Sequence, residues 1–278
     1  MSVAAPEAPP AAGAGPAPAP DPDALPPGVA PGTPGGYGLF HGMFMRNPEY
    51  HTLYEQTPPG FRAELIEWRV YINRDHRGRA GGDLWDEPHG DIVGTKYRHA
   101  SKQLLLDWWL GEYAANTPGV DPLSTPTVRM PDGSEPEPDA VLRRISAEEL
   151  AAEAEDHDGW VTYLPALAAE VSDSTRTRDA GPRRRDYERN GVAEYLMIDL
   201  PGRRVRWFAR DDAGAYAEMP PGDDGLLKSR AFPGLWLDPA ALLAGDRAAL
   251  KTALAAGLAT DAHAAYVAGG LPEASAGA

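Results

Sequence analysis

The sequence predicts an α/β fold in which helices flank a mixed β-sheet. The main observation is the order of the periodic segments, because patterns typical of strands and helices follow one another as β, α, β, β, α, β, α, β, β between residues 63 and 208. The chain has 278 residues, which is enough to bury a sizeable core. Its 30 glycines and 29 prolines exceed average usage, but much of the proline lies at the front of the chain, which leaves the middle region to fold.

Residues 1–36 differ in composition from the rest of the chain. They are almost entirely alanine, proline and glycine, with acidic side chains only at Glu7, Asp21 and Asp23. Such a segment cannot bury enough apolar surface to offset the entropy of ordering it, so we predict a disordered tail that is partly polyproline II. A proline-rich ligand for a partner domain is the alternative interpretation.

The middle region opens with a predicted hairpin, loop and helix. Residues 63–72 are rich in β-branched and aromatic side chains, which favour a strand or hairpin. Five glycines between residues 75 and 95 indicate a loop. Large apolar side chains then recur at helical spacing over residues 98–115, and we expect Trp108 and Trp109 to belong to the core of this helix rather than to a base-stacking platform.

The next elements are two predicted strands and a helix. Residues 125–130 have the pattern of a strand, closed by a turn at Pro131-Asp132-Gly133. Residues 138–142 are a second apolar strand. Ser146 and Glu149 have the spacing of a capping box, which predicts that a helix begins there.

A strand, a helix and a hairpin complete the middle region. Residues 166–172 are a short apolar run, and residues 179–190 predict a helix with Pro182 in its first turn that ends at Gly191. Residues 192–199 and 204–208 predict a hairpin around Pro201-Gly202.

We divide the chain into a tail at 1–36, a folded domain at 37–237 and an alanine-rich helical extension at 238–278. The extension predicts one or two helices, with Asp238 and Asp246 as N-caps.

Composition and charge exclude several classes of protein. The net charge of −15 argues against a chain whose whole surface binds DNA, RNA or anionic membrane. The absence of cysteine excludes disulfides, thiolate zinc sites, iron–sulfur clusters and cysteine nucleophiles. The N-terminus has no signal-peptide pattern and no segment is apolar enough to span a membrane, so we expect a soluble cytoplasmic protein with no membrane partner.

Two carboxylates in apolar strands require an explanation. Glu170 lies inside the run 166–172 and Asp139 begins the run 138–142. A buried carboxylate without a partner is costly, and two carboxylates on neighbouring strands would supply the oxygen ligands that Mg²⁺ prefers. The alternatives are that Asp139 caps a strand end and that Glu170 is half-exposed on an edge strand.

The segment after Glu170 is rich in arginine. Residues 176–210 contain ten arginines and five carboxylates, a local charge of +5. Basic side chains beside paired carboxylates are expected where a protein contacts a phosphate backbone. The alternative is a solvated helix face with salt bridges such as Arg184–Glu188.

The residues from Pro165 to Phe208 resemble the Uma-type putative restriction endonuclease family. The matching positions are Glu170, Val171, Ser172, Ser174, Thr175, Asp179, Tyr187, Gly191, Val192, Glu194, Tyr195 and Asp199. Upstream, the resemblance extends to Glu64-Leu65, to His99 and to Pro138-Asp139, so that it spans roughly residues 60–237.

The resemblance implies a restriction-endonuclease-like (PD-(D/E)xK) fold with a mixed central sheet between helices. It further implies a metal-dependent endonuclease that hydrolyses DNA, with Mg²⁺ or Mn²⁺ held by Asp139 and Glu170. Arg183 aligns with the lysine of the family and Glu64 would complete the metal shell or orient water. DNA or another nucleic acid is the expected partner, and a homodimer is an open alternative.

The sequence departs from the family at several positions. Arg183 replaces the lysine and cannot act as a general base, because a guanidinium does not lose its proton in proteins. Trp68 stands where the hairpin of the family has a glycine, and Leu196 replaces the tryptophan after Tyr195. The alternative function is therefore a catalytically impaired protein of the nuclease fold that binds nucleic acid or a protein partner. We interpret His99 as a partly buried polar residue near the site rather than as a catalytic group.

Overall fold

A six-stranded mixed β-sheet forms the centre of the molecule. The computed structural model describes residues 39, 42–57, 61–74, 97–155, 161 and 163–269. The strands are β1 (Arg62–Ile66), β2 (Arg69–Arg74), β3 (Val120–Ser124), β4 (Ala140–Arg144), β5 (Leu167–Ser172), β6 (Glu194–Asp199), β7 (Arg204–Arg210), β8 (Tyr216–Glu218), β9 (Leu227–Lys228) and β10 (Trp236–Leu237). The helices are α1 (Asn47–Tyr54), α2 (Tyr97–Ala115), α3 (Ala147–Glu155), α4 (Arg176–Arg178), α5 (Arg184–Asn190), α6 (Pro239–Ala244), α7 (Arg247–Leu258) and α8 (Asp261–Ala268).

The sheet has the strand order β3-β4-β5-β6-β7-β8. Strands β5 and β6 are parallel, and the other neighbours in this sheet are antiparallel. The parallel pair requires a crossover, and the helical segment from α4 to α5 provides it. This arrangement confirms the α/β fold with a mixed β-sheet that was predicted from the order of the periodic segments.

Hydrophobic clusters cover both faces of this sheet. Side chains alternate between the faces along each strand, so Leu196 and Ile198 point to one cluster while Tyr195 and Met197 point to the other. The first cluster contains the buried face of α2 together with residues of α6 and α7, and the second contains Tyr187 from α5. Trp109 is fully buried in the first cluster and Trp108 packs against it, which confirms that this pair belongs to the core.

Most of the predicted elements are confirmed, with small shifts of their ends. The pattern at 98–115 is α2, and the pattern at 63–72 is the hairpin β1–β2. The runs at 138–142 and 166–172 are β4 and β5, and the predicted hairpin around Pro201-Gly202 is β6–β7. The capping box is present because the Ser146 N–H donates to Glu149 Oε2 at 2.8 Å and the Glu149 N–H donates to Ser146 Oγ at 3.1 Å.

The strand predicted at 125–130 is wrong. The strand that pairs with β4 is β3, which ends at Ser124, and Thr125 then turns the backbone into the left-handed region at φ 50°. The segment that follows folds back on itself through the predicted turn, where the Gly133 N–H donates to Met130 O at 2.9 Å. Val128 and Met130 are buried, but they lie in a loop, where Val128 forms an isolated bridge with Val161.

The helix predicted at 179–190 begins earlier and changes its winding. Helical structure starts at Arg176, and residues Asp179–Arg183 form a π-helix that continues into α5. Pro182 therefore lies inside the helical segment rather than in its first turn, and its missing N–H is compatible with the disturbed hydrogen-bond pattern. The predicted end is confirmed, because Gly191 closes the helix at φ 90°.

The alanine-rich C-terminal part contains three helices in its described residues, which end at Gly269, where one or two were predicted. Asp238 and Asp246 accept hydrogen bonds from the first turns of α6 and α7, which confirms both N-caps. Leu242, Leu250 and Leu254 belong to the same hydrophobic cluster as the central sheet.

The predictions for residues 1–36 and 75–95 lie outside the described residues. No helix in the described ranges is long and apolar enough to cross a membrane.

Candidate active site

Asp139 and Glu170 are brought together by the pairing of β4 with β5. The register pairs Ala140 with Ala169, which places Asp139 level with Glu170 on the neighbouring strand. The backbone N–H of Val171 donates to Asp139 Oδ2 at 2.6 Å and fixes this carboxylate at the end of the strand. Both carboxylates line a pocket of about 340 Å³, here called the acidic pocket, whose walls are Arg62, Glu64, His99, Thr125, Glu137, Asp139, Glu170, Thr175, Arg178 and Arg183.

Glu64 reaches the acidic pocket from the hairpin β1–β2. Its side chain is buried, and the hairpin is held in place because Leu65 and Glu135 exchange backbone hydrogen bonds of 2.8 and 3.3 Å. Tyr50 of α1 also donates to Ala63 O at 2.7 Å. The structure therefore unites all four sequence-predicted site residues, which come from a hairpin, two strands and a helical segment.

The turn of this hairpin contains two residues with positive φ. Glu67 and Trp68 have φ of 49° and 57°, a conformation that favours glycine. Contacts with α5 hold the turn, since Arg185 Nη2 lies 2.8 Å from Glu67 Oε2 and the guanidinium of Arg189 lies 5.1 Å from the ring centre of Trp68. The cation–π contact between Trp68 and Arg189 thus helps to dock the hairpin on α5.

Arg183 lies among the carboxylates. Its Nη1 is 2.6 Å from Glu170 Oε1, and its Nη2 donates to Glu64 Oε2. The same Nη1 is 3.6 Å from Asp179 Oδ1. Because a guanidinium stays protonated, this side chain supplies a fixed positive charge and no general base.

Burial is the main cause of the raised pKa of Glu170. The loss of hydration raises the pKa of the Glu170 carboxyl well above its ordinary value, and the negative charges of Asp179 and Asp139 raise it further. The Tyr187 hydroxyl donates to Glu170 Oε1 at 3.0 Å and opposes this effect, as does the positive charge of Arg178. Carboxylates that repel one another in a buried pocket are a common feature of cation sites and of catalytic sites.

His99 lines the acidic pocket from the first turn of α2. Its Nε2 is 3.6 Å from Asp139 Oδ1, and about a quarter of the side chain is exposed. Hydrogen bonding to Asp139 raises the pKa of His99, while desolvation acts in the opposite direction. The prediction that His99 is a partly buried polar residue close to the site agrees with this position.

Several residues that line the pocket were not predicted from the sequence. Arg62 Nη1 and Glu137 Oε1 form an ion pair of 2.8 Å at its wall, and Arg178 Nη1 is 3.7 Å from Glu64 Oε1. Glu137 stands two residues before Asp139, so its proximity was a usable signal. Arg62 and Arg178 carry no such signal, since their roles depend on how the hairpin docks.

The arginine-rich stretch is largely paired with carboxylates in the fold. Arg176 and Arg204 both contact the buried Asp199, at 2.8 and 3.1 Å. Other arginines bind acidic partners from outside the stretch, namely Arg185 with Glu67, Arg189 with Asp132 and Arg206 with Glu218. Arg184 and Glu188, suggested above as a salt bridge, instead have other partners. The guanidinium of Arg184 lies over the ring of Phe208, and the Glu188 carboxylate accepts a hydrogen bond from the Tyr216 N–H.

The donor set of the acidic pocket suits a hard divalent ion. In the part of the chain that the structure describes, no group of three or more His, Asp or Glu side chains is arranged to hold a metal. Mg²⁺ commonly binds through one or two carboxylates and keeps several waters, and Asp139 and Glu170 present two carboxylates to one pocket. The residues present are therefore chemically compatible with such an ion.

Comparisons with known proteins bear on the family of the chain. A family model described as "Putative restriction endonuclease", Uma2, matches residues 84–240, a range that includes Asp139, Glu170 and Arg183 but not Glu64. A crystal structure of a "putative nuclease belonging to DUF820" from Anabaena variabilis ATCC 29413 is similar, with 11% sequence identity and a TM-score of 0.48. That match covers 72% of this chain and 99% of the other. No curated protein matches the sequence.

Proposed function

Because this chain belongs to the Uma2 restriction endonuclease family, we propose that it is a nuclease that hydrolyses phosphodiester bonds of DNA with the help of Mg²⁺ or Mn²⁺. The observation that carries the proposal is the convergence of Asp139 and Glu170, from two neighbouring strands, in one pocket that also contains Glu64 and Arg183. Paired carboxylates next to fixed positive charge suit a reaction in which charge develops on a phosphate.

Asp139 and Glu170 are the residues that would hold the metal ion. A bound divalent ion supplies an activated water and stabilises negative charge on the phosphate. Asp139 is oriented for this role by the Val171 N–H, which leaves its second oxygen, Oδ1, directed toward His99. Glu64 would complete the metal shell or orient the attacking water, and its burial would keep its carboxylate in one position.

Arg183 would stabilise the phosphate. Its guanidinium lies in the acidic pocket, where it contacts Glu170 and Glu64 and supplies a permanent positive charge. Arg62 and Arg178 line the same pocket and would contact the adjoining backbone phosphates. Proton transfer falls to another group, because none of these arginines can act as a base.

Cleavage of supercoiled plasmid DNA tests this function. We expect relaxation and linearisation that depend on added Mg²⁺ or Mn²⁺ and stop with EDTA. The Asp139→Asn variant should be slower by at least about 100-fold, since it removes a ligand charge from the ion that activates the water.

The matched control is Asp212→Asn, which makes the same chemical change at an exposed position of the β7–β8 turn. Its cleavage rate should equal that of the wild type. Equal rates for the wild type and Asp139→Asn in the presence of metal would overturn the proposal.

A second candidate function has a specific observation in its favour. Arg183 engages both Glu64 and Glu170, so the chain could retain the fold and bind nucleic acid or a protein partner without catalysis. Titration calorimetry with MnCl₂ separates the two functions. Heat of binding that disappears in Asp139→Asn supports the nuclease, whereas no Mn²⁺ binding, together with DNA binding by gel shift, supports the second candidate.

A further inference from the structure

A cation of the protein itself occupies the carboxylates that a metal would use. Arg183 Nη1 lies 2.6 Å from Glu170 Oε1, and Arg183 Nη2 bonds to Glu64. The side chains of Arg183, Glu64 and Glu170 are each at most 3% exposed, so water screens these contacts poorly. A divalent ion that binds Glu170 must therefore compete with a guanidinium that is already in place.

The charges that line the acidic pocket are close to balance without any added ion. The lining contains four carboxylates, Glu64, Glu137, Asp139 and Glu170, and three guanidiniums, Arg62, Arg178 and Arg183. Asp139 differs from the other three carboxylates because, among the described residues, its partners are the Val171 N–H and His99 rather than an arginine. Asp139 is thus available to a metal, while Glu170 is held by Arg183.

Asp179 offers Arg183 a second carboxylate. It lies four residues earlier in the same helical segment and is fully buried, and its Oδ1 is 3.6 Å from Arg183 Nη1. Within the described ranges, both this Oδ1 and Arg183 Nε are buried without a hydrogen-bond partner. Unsatisfied buried polar atoms are costly, so a small rotation toward Asp179 would gain a hydrogen bond as the one to Glu170 is lost.

We propose that Arg183 is a movable internal counter-ion of the metal site. It neutralises Glu170 when no metal is bound and turns to Asp179 when a divalent ion takes Glu170. Arg183 then weakens metal binding by competition, and Asp179 favours metal binding as a positioning residue that receives the displaced guanidinium. This inference rests on the proposed metal site at Asp139 and Glu170.

The first test measures binding of MnCl₂ by calorimetry and by the shift in melting temperature. Arg183→Gln removes the competing charge, so it should bind Mn²⁺ at least about tenfold more tightly than the wild type. The variant should melt at a lower temperature in EDTA, because it leaves buried carboxylates without their counter-ion, and Mn²⁺ should raise its melting temperature more than that of the wild type.

Arg143→Gln is the matched control. Arg143 is equally buried and pairs with Asp121, and it does not line the acidic pocket. This variant should lose thermal stability, yet its Mn²⁺ affinity should equal that of the wild type. If Arg183→Gln does not fold, Arg183→Lys replaces it. A single ammonium bridges two carboxylates less well than the guanidinium fork, so Arg183→Lys should bind Mn²⁺ more tightly than the wild type.

The second test concerns Asp179. Asp179→Asn should weaken Mn²⁺ binding in the wild type but have little effect in the Arg183→Gln background, because its role acts through Arg183. Equal weakening in both backgrounds would contradict that role.

The outcomes separate the inference from the proposed function. Mn²⁺ binding that depends on Asp139 but is no tighter in Arg183→Gln, or in Arg183→Lys, overturns the inference and leaves the nuclease proposal standing. Absence of Mn²⁺ binding in every variant contradicts both.

Discussion

Asp186 links the helix α5 to the two segments that shape the acidic pocket. Its carboxylate is fully buried, where it accepts from the Ser134 hydroxyl at 2.8 Å and from the Glu67 N–H at 3.4 Å, and it pairs with Arg189. Burial raises the pKa of Asp186 to about 7, and the nearby charge of Asp132 contributes, whereas Arg189 opposes the shift. A carboxylate with these contacts joins the hairpin turn to the helix that follows Arg183.

This residue predicts a pH dependence of stability. The folded chain keeps the Asp186 proton to higher pH than the unfolded chain, whose aspartate pKa is about 3.9, so the free energy of unfolding should fall as the pH rises from about 4 to about 7. Between pH 5 and pH 8 this contribution amounts to roughly 2.5 kcal/mol. It should be absent in Asp186→Asn.

Urea unfolding of both proteins at pH 5 and pH 8 measures this effect. Other carboxyls with raised pKa values are common to the two proteins, so their contributions cancel in the comparison. An identical loss of stability on going to pH 8 in the wild type and in Asp186→Asn would rule out the assignment.

At the residue scale, side chains that are unusual for their local surroundings could be predicted from the sequence as site residues. Glu170 and Asp139 were recognised because carboxylates in apolar strands need a partner or an ion. Arg183 and Glu64 entered through the family resemblance, and the structure places both in the same pocket. Arg178 was beyond prediction, because its contact with Glu64 requires that a hairpin more than 100 residues away docks on this helix.

A glycine near the end of α7 allows this helix to lie against the chain before β10. A Cβ atom added to Gly257 would lie 2.8 Å from Trp236 Cγ and would also collide with the Gly234 carbonyl. Backbone cannot give way as a flexible side chain can. The close approach of α7 therefore depends on the absence of a side chain at this position.

Gly257→Ala should lower the free energy of unfolding by about 1–3 kcal/mol, the usual cost of overpacking. Gly111→Ala is the matched control in α2, since an added Cβ there would meet nothing within 4 Å apart from its chain neighbours and the backbone of its own helix. This control should be more stable by about 0.5–1 kcal/mol because alanine favours a helix. Chemical denaturation of the two variants measures both effects, and a neutral or stabilising effect of Gly257→Ala would show that the helix is packed differently.

At the element scale, features that depend on short-range hydrogen bonds were predicted correctly, whereas features that depend on tertiary packing were not. The capping box at Ser146, the N-caps at Asp238 and Asp246 and the helix end at Gly191 follow from short-range hydrogen bonding, and all are present. The strand predicted at 125–130 failed because its apolar side chains are buried in a loop rather than in a sheet. The π-helix at Asp179–Arg183 spans five residues, which is too short for a periodic pattern that would distinguish it from an α-helix.

Across the whole molecule, the charge pattern along the chain differs from the charge pattern in space. The arginine-rich stretch carries a local charge of +5, but Glu67, Asp132 and Glu218 reach it from other parts of the chain. Sequence order alone could not predict this neutralisation. It also means that nucleic acid would meet less positive charge than the stretch suggests, so binding should rely more on the few arginines of the acidic pocket and on a metal ion.

The C-terminal helices share the hydrophobic core of the central sheet. Leu250 and Leu254 of α7 lie in the same cluster as Leu106 and Trp109 of α2. Alanine-rich composition predicted helices here, but it could not predict their number or that they pack on the sheet.

Three expectations about the whole molecule stay predictions. They are the division of the chain at residues 36/37 and 237/238, a homodimer and a cytoplasmic location.

The most direct test of the central claim is metal-dependent plasmid cleavage by Glu170→Gln. Glu170 is only 2% exposed, so its loss cannot act by changing the exposed surface that DNA meets. Glutamine has nearly the same size and shape as glutamate, and a melting curve verifies that the variant is folded. We predict that cleavage in Mn²⁺ falls by at least about 100-fold relative to the wild type. Cleavage at the wild-type rate by the folded variant would contradict the assignment of the acidic pocket as the active site.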